Sequence, residues 1–250
     1  MKKLLVACLM VILGVGCVGT IPHHREASPV IRLIGDSTVA LVDPLVDTEG
    51  ETPKIIYHVK CTGVWVRSDL MVTAAHCVAH DEDSLESLLS PVGDKAHYIV
   101  QDEVDQMFTE PTAMHLGKVV FYDKMHDVAF IHAEGVAIPR HSVTLFPKSL
   151  PALGEEILVV GHVKGMYWSY VRGVLAAYRD MIPTIGRAGP FVEIAGPVYK
   201  GNSGGGAFDS EGNLIGIASF LTPAPTISMF VSSTTIRILL SNYELTSKTK

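Results

Sequence analysis

The stretch Gly201-Asn202-Ser203-Gly204-Gly205 decides how the rest of this 250-residue chain is read. Four small residues surround one hydroxyl, so the backbone is free to turn sharply and to come close to a ligand. Gly201 stands two positions before Ser203. The amides of Gly201 and Ser203 can then both face a developing oxyanion. Taken alone, the string also suits a glycine-rich hairpin turn.

The flanks of this string read as strand. Asp209-Ser210-Glu211-Gly212-Asn213 has hairpin-turn chemistry, and Leu214–Phe220 and Met229–Val231 come after it. Upstream, β-rich runs recur at Ile55–Val59, Val64–Val66, Tyr98–Val100, Val119–Tyr122 and Val128–His132. They resume at Ile157–Val160, Ser169–Leu175 and Phe191–Ile194. Many short strands separated by turns predict barrels or sandwiches rather than alternating βαβ units. Pro147 to Gly154 is the expected seam between two halves. Only Thr234 to Tyr243 has helical apolar spacing, with Ser232 or Ser233 as N-cap.

A serine hydroxyl needs a base. Thr73-Ala74-Ala75-His76-Cys77 follows the strand-like run Leu70-Met71-Val72, and its small residues leave the His76 ring room to face a cleft. An imidazole in that role needs an orienting carboxylate. Asp127 heads the run Val128-Ala129-Phe130-Ile131, which should be buried, so its carboxylate sits at a core edge where hydrogen bonds can keep it ionised. Asp123 competes, but stands among Tyr122, Lys124 and Met125 and reads as more exposed. His76 and His80 have i, i+4 spacing without an HExxH pattern or a third ligand, which argues against zinc. Asp81 to Glu86 reads as a solvated acidic loop rather than a calcium site.

The N-terminus is a separate object. Lys2 and Lys3 precede an apolar run from Leu4 to Val18, as a basic n-region precedes an h-region. The run is about 15 residues, against the roughly 20 of a membrane span. It contains Leu13-Gly14-Val15-Gly16-Cys17, which resembles a bacterial lipobox, with Gly14 where leucine is usual. That resemblance implies lipidation of Cys17, a leader over residues 1–17 and a tether over 18–28. Ordinary secretion and an uncleaved anchor are the other readings, and all three export the chain. Cys8 and Cys17 belong to the leader, leaving Cys61 and Cys77 as an even pair expected to bond in an oxidising compartment. Two free buried thiols are the alternative.

Composition removes several classes. A hydrophobic fraction of 48% with 18% charged residues does not suit a disordered chain. The formal net charge is −6 and no basic cluster occurs, which disfavours a nucleic-acid partner.

The three segments together resemble the trypsin-like (chymotrypsin-fold) serine endopeptidases. Cys61-Thr62-Gly63-Val64 through Thr73-Ala74-Ala75-His76-Cys77 is similar to that family's cystine-flanked histidine segment. Asp127-Val128-Ala129-Phe130 is similar to its aspartate segment, and Gly201-Asn202-Ser203-Gly204-Gly205 to its serine segment. The resemblance implies an all-β fold of two six-stranded antiparallel β-barrels with a short C-terminal helix. Residues 29–148 would carry His76 and Asp127, and residues 149–250 would carry Ser203. It implies a catalytic triad of His76, Asp127 and Ser203, an oxyanion hole of the Gly201 and Ser203 amides, a protein or peptide substrate, and no metal or organic cofactor. By the same resemblance, Pro197, Val198 and Lys200 form one wall of the primary pocket, and Ser219, Phe220 and Leu221 another. No carboxylate stands at those positions, which disfavours cleavage after Lys or Arg. Leu221 would favour small or medium apolar side chains, while His162 or Lys200 would instead draw an acidic one.

Two departures sharpen the resemblance. The animal digestive members carry aspartate at the position of Asn202, paired on activation with a free N-terminus. Asparagine cannot make that ion pair, and no Ile-Val-Gly-Gly start is present. Gly-Asn-Ser-Gly-Gly is instead shared with the bacterial Deg-type and glutamyl-endopeptidase-like branches, though the chain beyond Ser203 is too short for the PDZ domain usual in the Deg type. An α/β-hydrolase is excluded by order: that fold needs its histidine after the serine, and none occurs beyond His162. A catalytically silent protease-fold binding lipoprotein and a purely structural surface lipoprotein remain as alternatives.

Overall fold

The computed structural model describes residues 28–48, 53–79, 95–100, 115–133, 146–163, 166–182, 187–222 and 226–247. The expected leader with Cys17, the tether up to residue 27, His80 and the acidic 81–86 segment lie outside the described residues. Among the described residues no helix is long and apolar enough to cross a membrane.

The first element, helix α1 (Pro29–Asp36), was not expected, although its start signal is in the sequence. Ser28 is the N-cap, its Oγ accepting from the Ile31 amide at 3.4 Å, and Pro29 opens the helix. Six strands come next: β1 (Thr38–Asp47), β2 (Lys54–Arg67), β3 (Leu70–Thr73), β4 (Lys95–Val100), β5 (His115–Asp123) and β6 (Val128–Ala133). They close in the order β1-β2-β3-β6-β5-β4. Six more lie beyond the linker: β7 (Glu156–Gly161), β8 (Ser169–Ile182), β9 (Arg187–Ala195), β10 (Gly206–Phe208), β11 (Leu214–Leu221) and β12 (Ile227–Ser232). These close as β10-β11-β12-β9-β8-β7, every described pairing in both rings being antiparallel. Helix α2 (Ser233–Ser247) ends the described chain, with Ser232 Oγ accepting from the Thr234 amide at 3.2 Å.

The expected runs Ile55–Val59 and Val64–Val66 are one strand, β2. Cys61-Thr62-Gly63 continues the ladder rather than breaking it, because β2 takes up the misfit at Lys60, which is passed over between the pairs Leu41–Cys61 and Val42–Val59. Pro44 is tolerated in β1 because β4 pairs only with Val39–Val42, leaving Pro44 with a neighbour on one side.

Alternation along the strands builds two interiors and a seam. Trp65, Met71, Ala129 and Ile131 face the interior of the first barrel, with Val39, Leu41 and Tyr98. Their neighbours Val64, Val66, Leu70, Val72, Val128 and Phe130 point the other way. There they join Val160, Phe191, Phe208, Leu214 and Ile217 from the second barrel, and Ile236 and Leu239 from α2, in one apolar cluster. Strands buried on both faces read as continuous apolar runs, as Val128–Ile131 does. Val159, Val192, Ile194, Ala207, Ile215 and Phe230 fill the second barrel. Ile34 of α1 is also in the shared cluster, so this helix leads into the first barrel while packing against the seam.

Candidate active site

Register places the histidine and the aspartate together. β3 pairs with β6 so that Thr73 faces Ala129. His76 stands just past the end of β3 and Asp127 just before the start of β6, so both emerge at one rim. A short 3-10 turn, Ala75–Cys77, carries His76. Cys77 is disulfide-bonded to Cys61 of β2, with Cα atoms 6.0 Å apart, as the cysteine count predicts.

The loop from Asp123 to Val128 aims the carboxylate. Asp123 and Val128 are cross-strand partners, so the loop between them is tight. Asp123 caps it: Oδ1 accepts from the His126 amide at 3.0 Å and Oδ2 meets His126 Nδ1 at 2.8 Å. Asp127 closes it with a left-handed φ of 56°, a conformation aspartate tolerates better than most residues. Asp123 is therefore occupied by its own histidine, and the carboxylate that reaches His76 is that of Asp127.

Asp127 is only 2% exposed, whereas the His76 side chain is 43% exposed. His76 Nδ1 lies 3.0 Å from both Asp127 oxygens, and the His76 amide donates to Oδ1 at 3.0 Å. This fixes the tautomer with the proton on Nδ1 and leaves Nε2 as a base. The Ser219 hydroxyl donates to Asp127 Oδ2 at 2.5 Å. Burial pushes the Asp127 carboxyl up. The hydrogen bond and charge of His76, the Ser219 hydroxyl and the His76 amide outweigh it, holding the carboxyl below its ordinary value. Ser219, expected as a pocket wall, is buried and turned to the aspartate. A lone serine inside the apolar run Leu214–Leu221 is the signal that it needs a polar partner.

Ser203 arrives from the second barrel, on the loop between β9 and β10. Gly204 and Gly205 let this loop press against the first barrel. Gly204 has φ +77°, and a Cβ there would collide with Thr62 O and Thr73 Oγ1. The Thr62 amide donates to Ser203 O at 2.8 Å, and Cys77 Sγ lies 3.7 Å from the same oxygen. The disulfide thus sits beneath both His76 and the serine backbone.

The amides of the loop divide into two sets. Asn202 donates to Tyr199 O, Gly204 to Ala218 O and Gly205 to Asn202 O. Among the described residues, the amides of Gly201 and Ser203 donate to nothing. Gly201 has φ +98°, as the third residue of a type II turn over residues 199–202 requires. Two unengaged donors beside one hydroxyl are what an oxyanion site needs. Among the described residues no hydrogen bond joins His76 Nε2 to Ser203 Oγ. Such contacts commonly tighten only when substrate binds.

The expected pocket residues divide by exposure. Val198 is buried in the second barrel's core, beside Ala218 and Phe230. Pro197 and Lys200 are exposed, Phe220 is half-buried, and Leu221 ends β11. His162 is corrected as a candidate for drawing an acidic side chain. It is wholly buried, and its Nδ1 accepts from the Trp168 amide at 3.0 Å. Burial, opposed by a backbone hydrogen bond at Val39, pushes its imidazole down to about 3. Asn202 is buried against Gly161, where a Cβ would meet Asn202 Oδ1 at 2.5 Å.

Ligand-type atoms of Cys61, His76 and Cys77 lie within 4.8 Å of one another. The two sulfurs are joined to each other, and a disulfide sulfur is not the thiolate that a metal takes.

Comparison with known proteins gives the family and the fold. A trypsin-like peptidase domain matches residues 61–217. The chain belongs to the trypsin-like peptidase family. It is 30% identical over 102 residues to a probable periplasmic serine endoprotease, DegP-like, of Ectopseudomonas mendocina, covering 41% of this chain and 21% of that protein. A serine protease, HtrA-like, of Staphylococcus epidermidis is 30% identical over 132 residues, covering 49% of this chain and 23% of that protein. The chain thus spans between about a fifth and a quarter of the length of these relatives. Among solved structures, the active form of the Rv3671c protease from M. tuberculosis superposes with TM-score 0.64 at 17% identity, covering 85% of this chain and 83% of that one. A serine endoprotease from Yersinia pestis gives 0.61 at 15%, covering 86% and 65%. These two likenesses bear on the fold.

Proposed function

We propose that the chain is an exported serine endopeptidase with a triad of His76, Asp127 and Ser203. The observation that carries this reading is the bond from His76 Nδ1 to the buried Asp127 carboxylate at 3.0 Å, at the rim where Ser203 and two unengaged amides meet. His76 Nε2 takes the Ser203 proton as Oγ attacks the scissile carbonyl. The Gly201 and Ser203 amides hold the oxyanion. Asp127 keeps the tautomer and stabilises the imidazolium. The imidazolium protonates the leaving amine, and water then repeats the attack on the acyl-enzyme. Each step uses side chains and amides alone. In this reading Pro197, Lys200, Phe220 and Leu221 border the bound substrate, Val198 backs them from the barrel core, and Ser219 contributes its backbone.

Export is supported by the leader-like residues 1–17 and by relatives described as periplasmic. A lipid on Cys17 would tie the chain to a membrane; mass spectrometry of the mature N-terminus gives a diacylglycerol-modified Cys17, or rejects it. The activity is tested with a fluorophosphonate probe. Wild type labels at Ser203, and Ser203→Ala does not. A correctly folded wild type that never labels and cleaves nothing in a diverse peptide library rejects the enzyme and leaves a binding protein on a protease fold.

A further inference from the structure

Thr62 lies on β2 of the first barrel and is 0% exposed. It grips the serine loop of the second barrel twice. Its amide donates to Ser203 O at 2.8 Å, and its hydroxyl donates to Gly201 O at 2.9 Å. These carbonyls belong to the same two residues whose amides are unengaged among the described residues. Thr62 is itself held, because its own carbonyl accepts from Thr73 Oγ1 at 2.7 Å. Thr73 is three residues before His76, and Cys61, beside Thr62, is bonded to Cys77.

We infer that Thr62 is the positioning residue of the oxyanion site, holding Gly201 and Ser203 by their carbonyls so that their amides stay aimed at the reacting oxygen. The inference rests on the proposed function and adds a residue to it. The physical argument is one of turn geometry. Type I and type II turns over the same four residues differ by a flip of the central peptide, here Lys200–Gly201, which carries the Gly201 amide. The positive φ at Gly201 marks the type II form. Glycine has little intrinsic preference between the two signs of φ. The Gly201 carbonyl lies on the next peptide, Gly201–Asn202, so the Thr62 hydroxyl does not hold the flipping peptide itself but anchors the Gly201 end of the axis about which it turns. The hydroxyl comes from the other barrel, so the oxyanion site forms only when the two barrels are docked.

Thr62→Val keeps the side-chain shape and the amide bond to Ser203 and removes the hydroxyl; Thr62→Ser restores it. With a peptide substrate taken from library cleavage, Thr62→Val lowers kcat about tenfold or more, with KM within about threefold and the pH profile unmoved. The rate of fluorophosphonate labelling falls in step, and Thr62→Ser recovers most of both. Hydrogen exchange at residues 200–204 quickens in Thr62→Val while β2 and β11 stay protected. Thr62→Val with kcat within twofold of wild type overturns the inference. So does Thr62→Ser falling as far as Thr62→Val, which assigns the loss to packing. Should wild type neither label nor cleave, the proposed function fails, and exchange in the loop alone decides whether Thr62 orders it.

Discussion

Among single residues, the site depends most on one buried carboxylate. Asp127 takes bonds from His76 and from Ser219, and the two serve different ends. The first selects the histidine tautomer and the second keeps the carboxylate from turning. Asp127→Asn can no longer select that tautomer and should lower kcat by about 10⁴, as in the protease example from which that figure is taken. Ser219→Ala leaves the tautomer intact and removes one charge-assisted bond, so a fall of about tenfold in kcat/KM is expected. Steady-state kinetics on the two variants checks the order. Equal losses would mean that Ser219 does more than brace the aspartate. The motif segments made His76, Asp127 and Ser203 legible in the sequence. Thr62 was not, and Ser219 was read only as a pocket wall, because the partner that each bonds, 139 or 92 residues away, is out of reach of any local pattern.

Among the elements, the serine loop is the one shaped by close approach. Gly204 has a left-handed φ and backbone within contact of where a side chain would begin. Gly204→Ala therefore meets strain and collision together, and neither Thr62 O nor Thr73 Oγ1 can swing away without breaking its own hydrogen bond. A destabilisation of about 3 kcal/mol or more is expected, read from the urea midpoint. A variant within about 1 kcal/mol of wild type would show that the loop can retreat from β2. The strand pattern was largely readable and its exceptions have causes. β10 is three residues long and opens with glycine, so it carries no period. β1 holds Pro44, which sequence reasoning takes against a strand. Helix α1 was hidden because its length is near the minimum that periodicity can reveal, though Ser28-Pro29 marked its start.

Across the molecule, the two barrels meet around a buried histidine. His162 comes just after β7 of the second barrel, and Trp168, whose amide it accepts, donates its Nε1 to Thr38 Oγ1 of the first at 3.0 Å. His162 is pushed down to about 3 from an ordinary 6.5, so the folded protein refuses a proton that the unfolded chain accepts. Its contribution to stability is full above about 6.5 and is lost as pH falls toward about 3. The slope approaches about 1.4 kcal/mol per pH unit within that window. Asp127 acts in the same direction only below its ordinary 3.8, so most of the His162 window lies above it and the two overlap only at the acid end. Denaturant titrations at several pH values between those limits should give a steeper loss for wild type than for His162→Gln. Parallel curves would assign the acid sensitivity elsewhere. The double-barrel plan was legible from the strand count and the three segments together. What no local pattern foretold is that Val64, Val72 and Phe130 turn outward to bind the barrels together, since burial on both faces erases the alternation that marks a strand's sides.

That division of labour makes the molecule severable. Every described strand of the first ring precedes residue 134 and every described strand of the second lies beyond residue 155, with a single covalent crossing between them. His76 and Asp127 lie on one side of the crossing, Ser203 and the unengaged Gly201 and Ser203 amides on the other. Two polypeptides made by opening the chain near residue 150 would each carry half a chemistry and no activity. Hydrolysis would then report the encounter of the halves, rising with the product of their concentrations until the apolar seam is saturated.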